Sequence, residues 1–548
     1  MGCIIALALI SFLSIYYAYF PIVVTAPLTN ALVLASLVTI ILIIVSMAFR
    51  ARSYIDAIFV LIPASLLAFL ARSIISLRSS YPNLHDPYYH LVSTQNIIDH
   101  GTLTSQISDW YELADFQLHW PDMHLLTVYL NQVAGIDIGV LFRYQEPLLG
   151  VAFLLGVYLI TKALFKRQDV ALTAALLAGF SDIIIFYQSE YHPQGFAFVL
   201  FVFLIYAFIK SRETNKAHSI VLIVFLIALV LSHHFSSLLV ALVAFGAIAL
   251  GWYIQAFRRF AYDRSIFIRD SNTWLLIGIA AFSYHIFAYS APLKVFISML
   301  ESGLAETALS VEGVDTLVPT LMYAAPLLKW TILLLALSSL FVILRQRERR
   351  PNIDRLFMLS SIFLLLGAAG MFVESAPLDR LIAFTMPLLA PFAAMFLVWV
   401  RENWWRRFRT EMDAMILVVI IASVPMVAGI LNAPTAPAYT FQGTAFDTQY
   451  WNSNYVPDMD QYSQAGSWMG ARVASNASVG TEFDTNIVPF YFAGLPFNRT
   501  IFEPQSYNLS YILVNPDVPY DYAGIKKERL ALDLSVVYVN RELRLYKS

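Results

Sequence analysis

Residues 29–48, TNALVLASLVTIILIIVSMA, contain no charged side chain and are followed almost at once by Arg50 and Arg52. About 17–25 mostly apolar residues suffice for an α-helix to cross the hydrocarbon core of a bilayer. Short loops rich in Lys and Arg stay on the cytoplasmic side of a membrane. The stretch therefore predicts a membrane-spanning helix and also the side on which that helix ends.

The composition extends this interpretation to the whole chain. Of 548 residues, 59% are hydrophobic and 13% are charged, and the mean hydropathy is +0.66. Soluble globular proteins contain about 45–50% apolar and about 25% charged residues, so a soluble enzyme, a disordered chain and a fibrous protein are excluded. The net charge of −2 argues against a nucleic-acid binder, and the single cysteine excludes a disulfide framework or a cysteine-based metal site within the chain.

Further apolar runs resemble the first, and together they predict a polytopic α-helical membrane protein with about thirteen spans. We place these spans near residues 3–24, 29–48, 54–72, 145–163, 169–187, 195–209, 219–232, 236–256, 273–291, 325–344, 356–373, 382–400 and 413–431.

Basic residues fix the predicted orientation. More than half of the 35 lysines and arginines fall in six loops that lie on one side if there are thirteen spans. These loops follow the second, fourth, sixth, eighth, tenth and twelfth spans. The amino terminus is then cytoplasmic, and we expect a multi-pass protein of the cell membrane.

Two predicted domains follow: a transmembrane domain over residues 1–431 and an extracytoplasmic soluble α/β domain over residues 432–548. The first has long outer loops at 73–144 and 292–324. The second contains an amphipathic stretch at 460–472, an apolar strand candidate at 510–515 and a closing hairpin over 536–539 and 543–546.

The densest group of ionisable side chains is His85-Asp86-Pro87-Tyr88-Tyr89-His90, in the first outer loop. Asp followed by Pro, and then by an amphipathic stretch that ends at Gly101, predicts a helix that starts at Asp86. The carboxylate could simply cap a surface helix. It could also serve as a general base or a metal ligand, and a carboxylate with two oxygens can do both.

Other candidates lie at the ends of predicted spans on the outer side. Ionisable residues there are hypotheses for function, because burial at a membrane edge is costly. Arg380 enters the twelfth span, where a guanidinium suits a lipid-linked phosphate, and Arg143 precedes the fourth span. The remaining cavity candidates are Glu190 and His192, between the fifth and sixth spans, and His233 and His234, after the seventh.

With these motifs the chain resembles the C-type (GT-C) membrane glycosyltransferase superfamily, and within it most closely the catalytic subunit of oligosaccharyltransferase and its archaeal relatives. Asp86-Pro87-Tyr88-Tyr89-His90 is similar to the family's first-loop motif, Asp-Pro-aromatic-aromatic-Asn/His. The run from Arg380 to Pro391 is similar to the family's Arg-led span. Asp484 falls in register with the Asp of the acceptor-recognition motif.

The chain also departs from that family. The second acidic motif, Tyr-Asp-x-Glu-Gly, is replaced by Tyr191-His192-Pro193-Gln194-Gly195, and the acceptor motif Trp-Trp-Asp-Tyr-Gly is absent. Ser310-Val311-Glu312 resembles only loosely the loop that supplies the family's gating Glu. Two spans precede the one that leads into the loop 73–144, where the family has one.

The resemblance implies transfer of sugar from a polyprenyl (dolichyl-type) phosphate or diphosphate at the extracytoplasmic face. Asp86 would activate the acceptor, and Arg380, with Arg143, would bind the donor phosphate. A divalent metal such as Mg²⁺ or Mn²⁺, held by Asp86, Glu190 and His192, is one expectation; the other is no cofactor. Protein N-glycosylation, transfer to a lipid or O-linked acceptor, and a multi-span transporter or flippase remain open.

Overall fold

The computed structural model describes residues 27–78, 86–103, 120–189, 191–211, 216–256, 264–287, 359–360, 378–404, 416, 418–423, 426, 459–473, 479–481, 511–514, 535–539 and 544–547. The chain divides into two compact units. Unit one comprises Met1–Ile74, Pro147–Ser189 and Pro193–Thr444, and unit two comprises Ile75–Glu146, Glu190–His192 and Ala445–Ser548. The predicted domain boundary at residue 431 stays a prediction.

Helices make up most of the described chain, and four short strands follow them. In chain order they are α1 (Pro27–Arg50), α2 (Tyr54–Arg78), α3 (Asp86–His100), α4 (Asp122–Ala134), α5 (Ile138–Phe165), α6 (Gln168–Gly179), α7 (Asp182–Tyr187), α8 (Pro193–Ser211), α9 (Lys216–Ser232), α10 (His234–Ala256), α11 (Arg264–Phe287), α12 (Leu378–Trp404), α13 (Met459–Arg472), β1 (Val479–Thr481), β2 (Tyr511–Val514), β3 (Ser535–Val539) and β4 (Arg544–Lys547).

Four segments of the described helices are long and apolar enough to cross a membrane: Tyr54–Ser73, Ile138–Phe165, Pro193–Ser211 and Ala383–Asn403. Shorter apolar segments lie in α1, α6, α9 and α10. A polytopic helical membrane protein is therefore the observed class. The predicted spans at 3–24 and 325–344 lie outside the described residues, so the count of thirteen stays a prediction.

The core of unit one is built around α6 and α12. Every residue of α6 is buried, and α6 packs against α12 and α1. In α12, 89% of the apolar stretch within Ala383–Asn403 is buried, whereas only 39% of the apolar stretch within Tyr54–Ser73 of α2 is buried. Residues that face lipid and residues that face protein are both apolar in a membrane protein, so this difference reflects position in the bundle rather than composition.

The structure differs from the predicted continuous span at 169–187. Helix α6 ends at Gly179 and α7 begins at Asp182. Between them the N–H of Ser181 bonds to the carbonyl of Ala178 at 3.3 Å, and the backbone of Ser181 is extended. A break inside an apolar segment leaves carbonyl oxygens without helical partners, and these must find other donors.

Arg72 supplies one of those donors. Its guanidinium is fully buried, and Nη2 donates to the carbonyl of Gly179 at 2.7 Å. Nε donates to Oε1 of Gln188 at 3.0 Å, and Nη1 donates to the carbonyl of Ala68 at 3.1 Å. A buried charge in an apolar helix is tolerated only when its donors are satisfied. Arg72 therefore joins α2 to the broken segment α6–α7.

Gly150, on α5, leaves the space that this guanidinium occupies. A Cβ atom at Gly150 would lie 2.1 Å from Nε of Arg72 and 2.3 Å from its Cδ. Because Arg72 is held by three hydrogen-bond acceptors, its side chain cannot yield without losing at least one of them.

Gly150→Ala should destabilise the protein by about 1–3 kcal/mol, the usual cost of overpacking a filled core. The matched control is Gly139→Ala in the same helix, where the new Cβ would meet only the exposed carboxylate of Asp137, at 3.1 Å. Thermal unfolding of the two variants in detergent measures the difference. Equal melting temperatures for both would contradict the role given to Gly150.

Charged side chains at one end of unit one join three loops. Arg167 and Arg401 both donate to Oδ2 of Asp169, at 2.6 and 3.0 Å, and Arg401 also donates to the carbonyl of Phe49. Phe49 precedes Arg50 of the loop after the second predicted span, while Arg167 and Arg401 belong to the loops after the fourth and twelfth. Three of the six basic loops therefore lie at the same end of the unit. The agreement fits the predicted sorting of charge, while the side of the membrane stays a prediction.

Helix α12 contains Pro387 and Pro391. Proline has no N–H, so each removes one hydrogen bond from the helical ladder. Ser360, from a neighbouring helical segment, donates to the carbonyl of Leu388 between them at 3.4 Å. The two prolines follow the first turns of α12, which contain Arg380 and the buried residues Ala383 and Phe384.

In unit two, the four described strands form one sheet in the order β1-β2-β4-β3. β1 pairs with β2 in parallel, and β4 is antiparallel to both β2 and β3, with Leu513 opposite Leu545. The register shifts between Val536 and Tyr538, which marks a β-bulge. These elements and α13 coincide with the predicted stretches, while a separate α/β domain stays a proposal.

Candidate functional site

Helix α3 begins at Asp86, continues with Pro87 and ends at His100, as the sequence predicts. Gly101 follows with φ of 67°, and its N–H bonds to the carbonyl of Ile97 at 2.8 Å. This left-handed conformation favours glycine and ends the helix. One face of α3 is buried, with His90, Thr94 and Ile97 among its residues. Asp86 thus starts a helix packed against protein rather than a free surface helix.

Helix α4 packs against α3. It starts after Pro121 and ends at Gly135, which has φ of 66°. Its buried face carries two polar side chains one turn apart, His124 and Thr127. A polar residue on a buried helix face needs hydrogen-bond partners, and each of these two finds them on neighbouring elements.

His124 bonds to two residues of α3. Its Nε2 lies 3.4 Å from Nδ1 of His90, and its Nδ1 lies 2.9 Å from Oγ1 of Thr94. Thr94 also donates to the carbonyl of His90 at 2.8 Å. The imidazole of His124 therefore bridges two successive turns of the helix that begins at Asp86.

Thr127 lies at the centre of a second set of contacts. Its Oγ1 is 2.8 Å from the hydroxyl of Tyr191 and 3.0 Å from Oε1 of Gln145. The ring of Tyr191 stacks on Phe142 with centroids 3.8 Å apart and lies 6.2 Å from the ring of His124. We call His90, Thr94, His124, Thr127, Gln145 and Tyr191 the polar cluster.

Burial sets the protonation of this region. It lowers the pKa of His124 to about 3, so the ring is neutral at neutral pH. Burial also raises the pKa of Tyr191 above its ordinary value, although hydrogen bonds with Thr127 and Thr94 oppose the shift. At the start of α4, partial burial raises the pKa of Asp122 to about 6. The polar cluster thus contains an uncharged imidazole, that of His124, and Asp122 at the start of the same helix titrates close to neutrality.

Comparison with known proteins identifies the fold. No family model and no curated protein matches the chain. The crystal structure of ArnT from Cupriavidus metallidurans bound to undecaprenyl phosphate is similar, with a TM-score of 0.53 and 11% identity, over 90% of this chain and 98% of ArnT. The chain has the GT-C fold.

Two further structures were matched. ArnT from the same organism in the apo state has a TM-score of 0.48 and 11% identity, over 89% of this chain and 97% of ArnT. The arabinofuranosyltransferase AftD from Mycobacteria has a TM-score of 0.49 and 13% identity, over 89% of this chain and 41% of AftD. The predicted GT-C membership is confirmed at the level of the fold, and the nearer likeness to oligosaccharyltransferase stays a prediction.

The predicted site residues are only partly described. His85, Glu190, Glu312 and Asp484 lie outside the described residues, as do the side chains of Asp86 and Arg380. By backbone, Asp86 begins α3 and Arg380 lies in the first turn of α12. These assignments therefore stay predictions.

Five predicted candidates can be placed with their side chains. His90 belongs to the polar cluster, and His192 is half-buried directly after Tyr191. Arg143 lies on α5 with Cζ 5.1 Å from the ring centroid of Tyr144. His233 and His234 lie in unit one with ring centroids 4.4 Å apart.

The histidine pair of unit one belongs to a separate group of polar contacts. Nδ1 of His233 is 3.0 Å from the hydroxyl of Ser236, and the hydroxyl of Ser237 donates to the carbonyl of His234 at 2.9 Å. Ser237 is also 2.6 Å from Nε2 of His285. These contacts tie together the ends of α9, α10 and α11, which gives the pair a packing role in addition to the predicted cavity role.

Metal ligation is not resolved by the described side chains. Among them, no group of three His, Cys, Asp or Glu lies close enough together to hold a metal ion. Of the predicted ligands Asp86, Glu190 and His192, only the last has a described side chain. Mg²⁺ or Mn²⁺ dependence of the GT-C chain stays a prediction.

Sequence reasoning missed most of the polar cluster. His90 is the member that the sequence predicts as a site residue, whereas Thr94, His124, Thr127 and Gln145 give no separate signal. The spacing His90–Thr94 (i, i+4) together with His124–Thr127 (i, i+3) indicates polar faces on two helices of one loop. That pattern could have suggested contact between the two helices.

The neutral state of His124 predicts an acid-sensitive fold. Unfolded histidine takes up a proton near pH 6.5, whereas buried His124 resists protonation down to about pH 3. Its contribution to the free energy of unfolding is therefore full above about pH 6.5 and is lost as the pH falls toward about 3. His90 and Tyr191 face the ring, and Asp122 acts in the opposite direction because its pKa is raised.

The melting temperature of the wild type should fall as the pH is lowered from about 7.5, roughly one unit above the pKa of unfolded histidine, to about 5. We expect the fall to be smaller in His124→Asn, because the variant has no ring to protonate. Differential scanning fluorimetry across that range measures the slope. His100→Asn, which removes an exposed histidine of α3, is the control for loss of a histidine. Parallel curves for the wild type and His124→Asn would refute a neutral buried ring.

Proposed function

We propose that this GT-C chain is an integral membrane glycosyltransferase. It transfers sugar from a polyprenyl phosphate or diphosphate donor to an acceptor at the extracytoplasmic face. The observation that carries the proposal is the similarity of fold to ArnT over 90% of this chain and 98% of that one, since that structure contains undecaprenyl phosphate. Shared fold alone permits several chemistries, so the argument continues with individual residues.

Asp86 is the proposed base that activates the acceptor. It is the first residue of α3, whose following turns are held against α4 by the bonds of His90 and Thr94 to His124. A general base works only when its position is fixed relative to the reacting proton, and its contribution is about 10²–10⁴ in rate. The buried contacts of α3 therefore hold in place the helix on which Asp86 is the first residue.

Arg380 is the proposed partner of the donor phosphate, with Arg143 as a second candidate. Arg380 lies in the first turn of α12, the helix with the most deeply buried apolar window among the four candidate spans. Guanidinium groups bind phosphate through paired, charge-assisted hydrogen bonds. A rigid helix that begins with such a group suits a donor whose isoprenoid tail lies in the bilayer.

The acceptor is proposed to be a hydroxyl, on a lipid or on a protein side chain, rather than an asparagine amide. The sequence lacks the Trp-Trp-Asp-Tyr-Gly motif of the enzymes that glycosylate asparagine. Protein N-glycosylation is the alternative outcome. The α/β character of residues 432–548, their extracytoplasmic side and a cytoplasmic amino terminus belong to the same proposal.

The test is transfer of label from radiolabelled polyprenyl-phosphate sugars by the purified protein in liposomes. Asp86→Asn should lower turnover by about 10²–10⁴-fold, because the amide cannot accept the proton. Asp99→Asn is the matched control in the same helix; Asp99 is exposed and accepts a hydrogen bond from Gln95 at 2.8 Å. Wild-type turnover in Asp86→Asn would remove the assignment. No transfer to any acceptor class, with uptake of the lipid instead, would favour a transporter.

Arg380→Gln should raise the KM for the donor more than it lowers kcat, and Arg380→Lys should restore part of the affinity. Loss of a charge-assisted hydrogen bond costs roughly 1.5–3 kcal/mol, or about 10- to 150-fold in affinity. Donor titrations of the three proteins measure the change. An unchanged KM in Arg380→Gln would contradict phosphate binding.

Parallel reactions with EDTA, and with Mg²⁺ or Mn²⁺ restored, test the proposed cofactor. If present, the cation would supply electrostatic stabilisation of the donor phosphates. Transfer that survives EDTA would remove the metal from the proposal and leave Arg380 and Arg143 as the phosphate-binding groups.

A further inference from the structure

His124 is the described residue that joins the two helices of the first outer loop through both nitrogens of one ring. Nδ1 and Nε2 contact Thr94 and His90, which lie one turn apart on α3. The ring is fully buried. A side chain that bonds to two successive turns restrains both the rotation of a helix and its translation along its axis.

The hydrogen bonds also fix where the protons lie. Thr94 has a single hydroxyl proton, which it donates to the carbonyl of His90 at 2.8 Å. Toward Nδ1 of His124 the hydroxyl oxygen must then accept, so that nitrogen carries the ring proton. Because the ring is neutral, Nε2 of His124 is then an acceptor, which assigns Nδ1 of His90 as the donor.

The surroundings preserve this arrangement. The other ring close to His124 is that of Tyr191, whose hydroxyl lies 2.8 Å from Thr127. A protonated His124 could not accept at Nε2, so its contact with His90 would require the proton on Nδ1 of His90 to move to the other ring nitrogen. Burial, which holds the pKa of His124 near 3, keeps the ring neutral.

We propose that His124 is a positioning residue: uncharged and protonated on Nδ1, it holds His90 and Thr94 of α3 and so fixes the helix that begins at Asp86. This inference rests on the proposed function, because the helix matters to catalysis only if Asp86 takes part in it. Misplacement of a catalytic group by about 1 Å can cost on the order of 10²-fold in rate.

Thr94 offers the sharpest kinetic test. Thr94→Val removes the hydroxyl while keeping the shape, and should lower kcat by roughly 10- to 100-fold with little change in the donor KM. Thr94→Ser keeps the hydroxyl and should restore most of kcat. The matched control is Thr161→Val on α5, since Thr161 is also buried and donates to the carbonyl four residues earlier at 2.8 Å, but to no imidazole.

A spectroscopic test does not depend on activity. Solid-state NMR of ¹⁵N-histidine-labelled protein, with the signal of His124 assigned by its absence in His124→Asn, should show a neutral ring protonated on Nδ1 from pH 8 down to 5. The same signal should change in Thr94→Val. A ring that titrates in this range, a proton on Nε2, or a signal shifted by EDTA because a metal lies between the rings would overturn the proposal.

The two tests separate the possible failures. If wild-type protein transfers no sugar, the proposed function fails, while the NMR signal still decides the state of His124. If transfer is measured and Thr94→Val retains wild-type kcat, the proposed function stands and the positioning role is wrong.

Discussion

A guanidinium without water must have its hydrogen bonds supplied by protein, and much of unit one is arranged around that requirement at Arg72. Its acceptors come from its own helix, from the carbonyl end of α6 and from Gln188. The bond to Gly179 serves a second purpose, because it satisfies a helix end that would otherwise be exposed inside an apolar segment. Gly150 completes the arrangement by leaving the volume that the guanidinium needs.

The polar cluster of unit two meets the same constraint with paired polar groups, among them the neutral ring of His124. Its side chains are imidazoles, hydroxyls, an amide and a phenol, and each bonds to another member. Neutral groups of this kind cost far less to bury than ions, provided that they are paired. They can therefore hold two helices together without adding a charge between them.

Much of the fold was predictable from the sequence because its signals are local. The apolar run at 29–48 and the Asp86-Pro87 start and Gly101 end of α3 follow from transfer energies and backbone preferences. The break at Gly179 was not predictable, because it depends on Arg72, which lies 107 positions earlier within another predicted span. Likewise, the bond between Thr94 and His124 joins residues 30 positions apart, and nothing in either local sequence names its partner. Glu312 and Asp484, suggested by resemblance, remain predictions.

The two prolines of α12 have a mechanical consequence. Within one turn the helix lacks two of the N–H groups that stiffen an ordinary helix, so bending there disrupts fewer bonds than bending elsewhere along its length. The turn that contains Arg380 lies on one side of this point, together with Ala383 and Phe384, which are fully buried. A bend at the prolines would have to carry these side chains with it, so the position of Arg380 is tied to the packing of Phe384 against Phe198 and Phe201.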